Sequence, residues 1–142
     1  MKKLFKPLAL LLIVLVPLFA FMLVACFESQ EPEQFLLITS DSLENSNHEF
    51  IGGVLDELAE SDGLTFTYSN TAFGRMILTL GNLVPNASNN EFIAVYISIL
   101  EPQWSNPYSV TVDGVQFFSA NHGIDSLPVL DGVSYLFAIA TF

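Results

Sequence analysis

The side chains that could do chemistry in this chain of 142 residues are few and scattered. His122 and Asp125 lie three positions apart in one polar segment, a spacing that could serve acid–base or metal chemistry. No second histidine cluster accompanies them, so the pattern favours a solvated loop histidine over a metal ligand. The short motifs of hydrolases, zinc enzymes, phosphate-binding loops and redox dithiols are absent. The sequence therefore predicts a protein that is not an enzyme and that has no cofactor and no metal site.

Three aromatic residues, Trp104, Tyr96 and Tyr108, are the candidate ligand-binding residues. Trp104 lies in a proline-punctuated segment, 101–107, and loops on a rigid scaffold often carry binding. An aromatic platform there could accept a sugar or another ring-shaped ligand. The alternative is that Trp104 folds back and caps the hydrophobic core. The expected partner is an unknown small ligand or a surface protein.

The charges divide the chain into two parts. Lys2, Lys3 and Lys6 lie at the N-terminus, Arg75 is the only other lysine or arginine, and all fifteen acidic residues lie at or after Glu28. From residue 26 onward, one arginine against fifteen carboxylates gives a formal charge of −14. Because such a surface has no basic patch to displace counterions from phosphates, a nucleic-acid partner is excluded. Arg75 could clamp an anionic ligand, but we expect it to pair with a neighbouring acid.

The elements that must position these residues are predicted from periodicity. A helix is predicted over 52–61, because its apolar residues form one stripe and Asp62-Gly63 ends it. Strands are predicted over 35–39, 64–68, 75–80, 92–100 and 133–142, with two short strands around an Asp113-Gly114 turn within 110–118. Loops are predicted over 41–49, 84–91, 101–107 and 121–128. One helix and about six strands indicate an α+β domain, with a mixed or antiparallel sheet and the helix packed on one face.

The first 25 residues have the pattern of an export signal. Three lysines precede an apolar run, 8–25, which ends in small residues. Leu23, Val24, Ala25 and Cys26 resemble the lipobox of bacterial lipoproteins. This resemblance implies a signal helix over 1–25 that is cleaved before Cys26, and a diacylglycerol thioether on Cys26 that anchors the protein to the membrane. The alternative is an uncleaved signal anchor, because eighteen apolar residues nearly span a bilayer. Both place the remainder outside the cytoplasm, with 26–34 as the lipidated cysteine and an acidic spacer.

Residues 35–142 resemble a second family, the extracellular domain similar to the C-terminal domain of transcobalamin. The resemblance is carried by short motifs at 53–58, 65–68, 73–77, 92–96 and 130–133. It implies a β-grasp-like fold and a surface lipoprotein on the extracellular face of the cell membrane. This chain departs from the family by an insertion through Trp104 and has no large helical domain, so cobalamin binding does not carry over. The expected function is a non-catalytic binding or interaction domain, and the alternative is a purely structural or adhesive surface domain that acts by protein–protein contact.

Overall fold

Seven β-strands and two α-helices make up residues 31–142, the part of the chain that the computed structural model describes. In chain order they are β1 Phe35–Ile38, α1 Ser40–Leu43, α2 Ile51–Ser61, β2 Phe66–Thr71, β3 Gly74–Leu80, a 3-10 turn Ala87–Asn89, β4 Glu91–Ile97, β5 Ser105–Val112, β6 Val115–Ala120 and β7 Tyr135–Thr141. The predicted signal helix over 1–25, the lipobox, Cys26 and residues 27–30 of the spacer lie outside the described residues.

The strands form two antiparallel sheets. The larger sheet has the order β1-β7-β4-β6-β5, and β2 and β3 form a separate two-stranded sheet. The α+β class predicted from the sequence is confirmed. The prediction of one sheet was wrong, because a period-two pattern identifies a strand but not the strand with which it pairs.

The main core lies on the face of the large sheet that α2 and the β2–β3 hairpin cover. Ile51 and Leu55 of α2 pack there with Leu80 of β3, Ile97 of β4 and Phe137 of β7. A smaller cluster of Val112, Phe117 and Leu136 lies on the opposite face. We expected the last strand to alternate between buried and exposed residues, yet its first four residues, 135–138, are all buried. The strand lies between β1 and β4, and both of its faces are covered.

Several predicted boundaries held and others did not; the strand predicted over 92–100, for example, ends at Ile97. The helix begins one residue before the predicted 52–61, and Asp113 and Gly114 both have positive φ, as a two-residue hairpin turn requires. The predicted loop over 41–49 was partly wrong, because its first residues belong to α1, which buries Leu43 in the main core.

Two further corrections concern β5 and β2. The predicted loop over 101–107 ends earlier, since β5 begins at Ser105 and includes Pro107 and Tyr108. Proline is tolerated there because β5 is an edge strand with a bulge between Ser105 and Ser109. The strand predicted over 64–68 instead runs from Phe66 to Thr71, because its polar second half pairs with β3 across the hairpin.

Tyr135 fastens the long connection between β6 and β7. Its ring is fully buried at the start of β7. Its hydroxyl donates a hydrogen bond to the carbonyl oxygen of Pro128 at 2.7 Å and accepts one from the backbone N–H of Leu130 at 2.8 Å. Burial raises the pKa of the Tyr135 hydroxyl above its ordinary value, so it stays protonated and able to donate.

Replacing Tyr135 with phenylalanine tests the contribution of this hydroxyl. The Tyr135→Phe variant leaves two backbone groups of the connection without their partner, and we expect the free energy of unfolding to fall by about 1–3 kcal/mol. Urea denaturation followed by circular dichroism measures the change. The matched control is Tyr108→Phe, since Tyr108 is 81% exposed, and it should change stability by less than about 0.5 kcal/mol. Equal stability of the two variants would show that the connection does not depend on the hydroxyl.

Candidate functional site

Two loops meet at one end of the large sheet. Four hydrogen bonds join residues 101–106 to the start of the β6–β7 connection, and one of them runs from the side-chain amide of Asn106 to Asn121 Oδ1 at 3.0 Å. The backbone N–H of Asn121 donates to the Trp104 carbonyl oxygen at 2.8 Å, and its side-chain amide donates to the carbonyl oxygen of Pro102 at 3.1 Å. The Nε2 atom of His122 donates to the carbonyl oxygen of Gln103 at 3.0 Å. We call residues 101–106 and 121–125 the loop pair.

An aromatic contact lies at the centre of the loop pair. The rings of Trp104 and His122 are tilted by 57° with their centroids 5.3 Å apart. Trp104 is partly buried and packs against the main core, as the capping alternative predicts. Because a carbonyl oxygen can only accept, Nε2 of His122 carries the proton of its hydrogen bond to Gln103. The loop pair therefore combines an anchored aromatic ring with a polar rim.

The other two predicted ligand-binding residues lie elsewhere. Tyr96 lies on β4 and packs with the small cluster on the face of the sheet opposite Trp104, and burial raises the pKa of its hydroxyl. Tyr108 projects from the edge strand β5 and is 81% exposed. The three residues do not form one platform. No local pattern in the sequence predicts the contact between Trp104 and His122, because only the hydrogen bonds between the two loops bring their rings together.

Arg75 links three elements: the strand β3, the helix α2 and the β6–β7 connection. It extends from β3, and its backbone N–H donates to Asp125 Oδ2 at 2.7 Å. Its Nε and Nη2 atoms both reach Asp125 Oδ1, at 2.8 and 2.7 Å. Its Nη1 atom donates to Asp56 Oδ1, on α2, at 2.7 Å. The predicted pairing of Arg75 with acidic residues is confirmed. Asp125 therefore binds Arg75, whereas the sequence had suggested a role for it beside His122.

The surroundings of Arg75 leave no space for larger side chains. A Cβ atom at Gly52 would lie 2.5 Å from Nη2 of Arg75 and 2.7 Å from Asp125 Oδ1. Gly74 has a φ of 102°, and a Cβ atom there would lie 3.1 Å from Asp125 Oδ2. The guanidinium group also lies 4.9 Å from the centroid of the Tyr68 ring. Glycine is unfavourable within a helix, and the close approach of Arg75 and Asp125 explains why Gly52 lies in the first turn of α2.

The charges of this contact stabilise each other. The hydrogen bond from Arg75 lowers the pKa of the Asp125 carboxyl below its ordinary value, and the same bond raises the pKa of Arg75. The side chain of Arg75 is only 16% exposed. With its donors directed at Asp56 and Asp125, Arg75 is occupied as a structural cation and is not free to bind an anionic ligand.

His48 and Glu57 line the second notable region, a cleft of about 410 Å³ between α2 and the loop that precedes it. His48 Nε2 lies 2.7 Å from Glu57 Oε2. The Nδ1 atom is so close to α2 that a Cβ atom at Gly53 would approach it within 2.7 Å. His48 is thus paired with Glu57 through Nε2, and its ring packs closely against the first turn of α2.

Within 31–142, no three histidine, cysteine, aspartate or glutamate side chains are grouped so that they could hold a metal ion. No helix in that range has the length and apolar character needed to cross a bilayer. The loop pair is the candidate functional site, and the contact of Asp125 with Arg75 holds its second segment against β3 and α2.

The contribution of Asp125 to stability should depend on pH. Since the folded state lowers the pKa of Asp125, this carboxylate stabilises the fold above its unfolded pKa of about 4, and the contribution is lost as the pH falls through the lower folded value. We expect Asp125→Asn to reduce the free energy of unfolding at pH 7 by about 1.5–3 kcal/mol, and by progressively less below about pH 4. Urea titrations at a series of pH values measure this difference. Asp113→Asn, on the β5–β6 turn, is the control. A deficit that is the same at neutral and acid pH would contradict the role given to the charge.

Comparisons of this chain with protein-family models, with curated proteins and with solved structures found no match.

Proposed function

We propose that this chain is a bacterial surface lipoprotein, held by a lipid on Cys26 at the extracellular face of the cell membrane. Its domain, residues 35–142, acts as a non-catalytic binding module. The leader supports the location, because its lysines, apolar run and lipobox-like residues 23–26 follow one another in the order that export and lipidation need. The acidity of the remainder suits a soluble domain that is repelled by anionic lipid.

The proposal also includes a β-grasp-like fold for this domain. A β-grasp-like domain similar to the C-terminal domain of transcobalamin fits an antiparallel sheet with one long helix, α2, on one face. The second sheet, β2–β3, covers the same face as α2. The transcobalamin-like motifs at 53–58 and 73–77 then correspond to α2 and the β2–β3 hairpin.

The loop pair is the structural feature that best supports a binding function. It presents Trp104 and His122 at the end of a sheet, and its backbone is held by hydrogen bonds between the two loops. A site whose geometry is set before the ligand arrives loses little conformational entropy on binding. By contrast, the groups that could act as acids or bases, His48, Glu57 and Asp125, are paired with one another or with Arg75. Recognition by the loop pair is therefore better supported than catalysis.

A second candidate function is adhesion by protein–protein contact. Phe73 lies in the turn between β2 and β3, and its side chain is 94% exposed. An aromatic side chain so exposed favours contact with another macromolecule. The adhesive function predicts that replacing Phe73 weakens cell-surface attachment, whereas the loop-pair function predicts no effect.

The lipid anchor is tested by replacing Cys26. In a bacterial host fed radioactive palmitate, the wild-type protein should become labelled, and Cys26→Ser should lose the label because a hydroxyl cannot form the thioether. The control is protease treatment of intact cells, which should still reach any exported Cys26→Ser protein. Label retained by Cys26→Ser, or a wild-type protein that is never labelled, would contradict the anchor.

The loop pair is tested with a panel of glycans and ring-containing cofactors. We expect at least one compound to raise the melting temperature of the wild-type domain, and His122→Ala to weaken its binding about tenfold by removing part of the aromatic surface. Trp104→Phe is the second variant, since it keeps an aromatic ring against the core. Tyr108→Ala removes another exposed aromatic side chain, on β5 outside the loop pair, and is the control that should bind normally. If no compound shifts the melting temperature, or if His122→Ala and Trp104→Phe bind as the wild type does, the loop pair is not the binding site.

A further inference from the structure

The two edges of the five-stranded sheet are protected to different extents. At one edge, β5 has Pro107 and a bulge between Ser105 and Ser109, features that discourage the addition of another strand. At the other edge, β1 has neither a proline nor a bulge, and all four of its residues pair regularly with β7. Successive N–H groups of a strand point to opposite sides, so β7 can bond only about half of the backbone groups of β1. No other backbone group within 31–142 bonds the remainder.

A groove runs beside this open edge. It has a volume of about 570 Å³, and its apolar lining residues include Phe35, Leu36, Leu64 and Leu83. A second cleft of about 410 Å³ shares Glu33 and Gln34 with it, and its other lining residues are Val84, Glu91 and Ile139. An extended chain that lay along β1 would place alternate side chains in this groove.

The outer face of β1 is apolar as well. Phe35 is 39% exposed and Leu37 is 38% exposed. The exposed apolar residues and the open backbone lie on the same four-residue strand. Such an edge is normally covered by a partner strand or guarded by charge, and β1 has no charged residue of its own.

The charges beside the groove restrict the occupant. Glu33 lines both the groove and the second cleft, Glu91 lines the second cleft only, and no lysine or arginine lines either. In the described part of the chain, Arg75 is the sole lysine or arginine, and it is bound to Asp125 and Asp56. A second copy of this acidic chain would bring like charges together, whereas a basic segment would be attracted.

We propose that β1 accepts an extended segment of a basic partner protein, which adds to the sheet as a sixth strand of the β1-β7-β4-β6-β5 order. Its backbone bonds the outward-facing N–H and C=O groups of β1. Its apolar side chains enter the groove, and a lysine or arginine side chain lies beside Glu33. This surface is separate from the loop pair, so its failure and that of the proposed function can be told apart.

The probe is a fluorescein-labelled peptide of eight residues that alternates lysine and valine, with blocked ends. Fluorescence anisotropy should show saturable binding of this peptide to the full-length wild-type protein in detergent. The matching peptide that alternates glutamate and valine should not bind. A third peptide has the lysine–valine sequence with N-methyl groups on alternate amides, which prevents strand pairing but keeps the charge. We expect its binding to be weakened at least about tenfold.

Two variants locate the contact. Glu33→Lys reverses the charge at the groove and should weaken binding of the lysine–valine peptide about threefold to tenfold. Glu60→Lys makes the same charge change on an exposed position of α2 and is the control. Hydrogen exchange should also show that amides within 35–38 become protected when the peptide binds, because new backbone bonds form there.

Several results would overturn the proposal. Equal binding of the N-methylated peptide would show that attraction of charge alone, without strand addition, explains the contact. An equal effect of Glu33→Lys and Glu60→Lys, or an absence of new protection in β1, would place the peptide elsewhere. Concentration-dependent dimerisation that protects the same β1 amides without peptide would identify a second copy of the chain as the occupant. None of these results would alter the outcome for His122→Ala at the loop pair.

Discussion

The contact between Arg75 and Asp125 is the constraint on which the rest of the structure depends. Charge-assisted bonds from both the backbone and the guanidinium group of Arg75 converge on one carboxylate, and a further bond reaches Asp56. These bonds join the β2–β3 hairpin, the helix α2 and the β6–β7 connection. In a chain with no other lysine or arginine after residue 6, two of the fifteen acidic residues share the single positive charge of Arg75. Since Arg75 is largely buried, removing either partner leaves the other with an unfavourable desolvated charge.

The same contact places the β6–β7 connection where it can support the loop pair. From Asp125 the connection continues along α2, where its carbonyl oxygens at Ile124 and Leu127 accept hydrogen bonds from the first backbone N–H groups of the helix. These are the N–H groups that a helix cannot satisfy internally, and α2 has no side-chain cap. The connection therefore acts as the cap of α2, and Tyr135 holds its other end. Rigidity near His122 follows from this arrangement.

Local patterns in the sequence predicted the elements well, whereas long-range contacts lay beyond them. The 52–61 helix and the Asp113-Gly114 turn could be predicted because their signals lie within a few residues of each other. The sequence also favoured an ion pair for Arg75. Its partner Asp125 lies 50 positions away, and the packing of the β2–β3 hairpin determines this contact. The aromatic contact of Trp104 is likewise with a residue from a different loop, His122, and not with either predicted tyrosine. Periodicity detects the faces of elements, and it contains no information on which loops meet.

The most direct test of this account is native-state hydrogen exchange on the wild-type protein and on Arg75→Met. We expect the variant to lose protection first at Ile51, Gly52 and Leu127, whose N–H groups donate to carbonyl oxygens of the β6–β7 connection. The amides that pair β4 with β7 should stay protected. A uniform loss of protection across the whole domain, or unchanged protection at those three amides, would contradict the claim that Arg75 holds the connection in place.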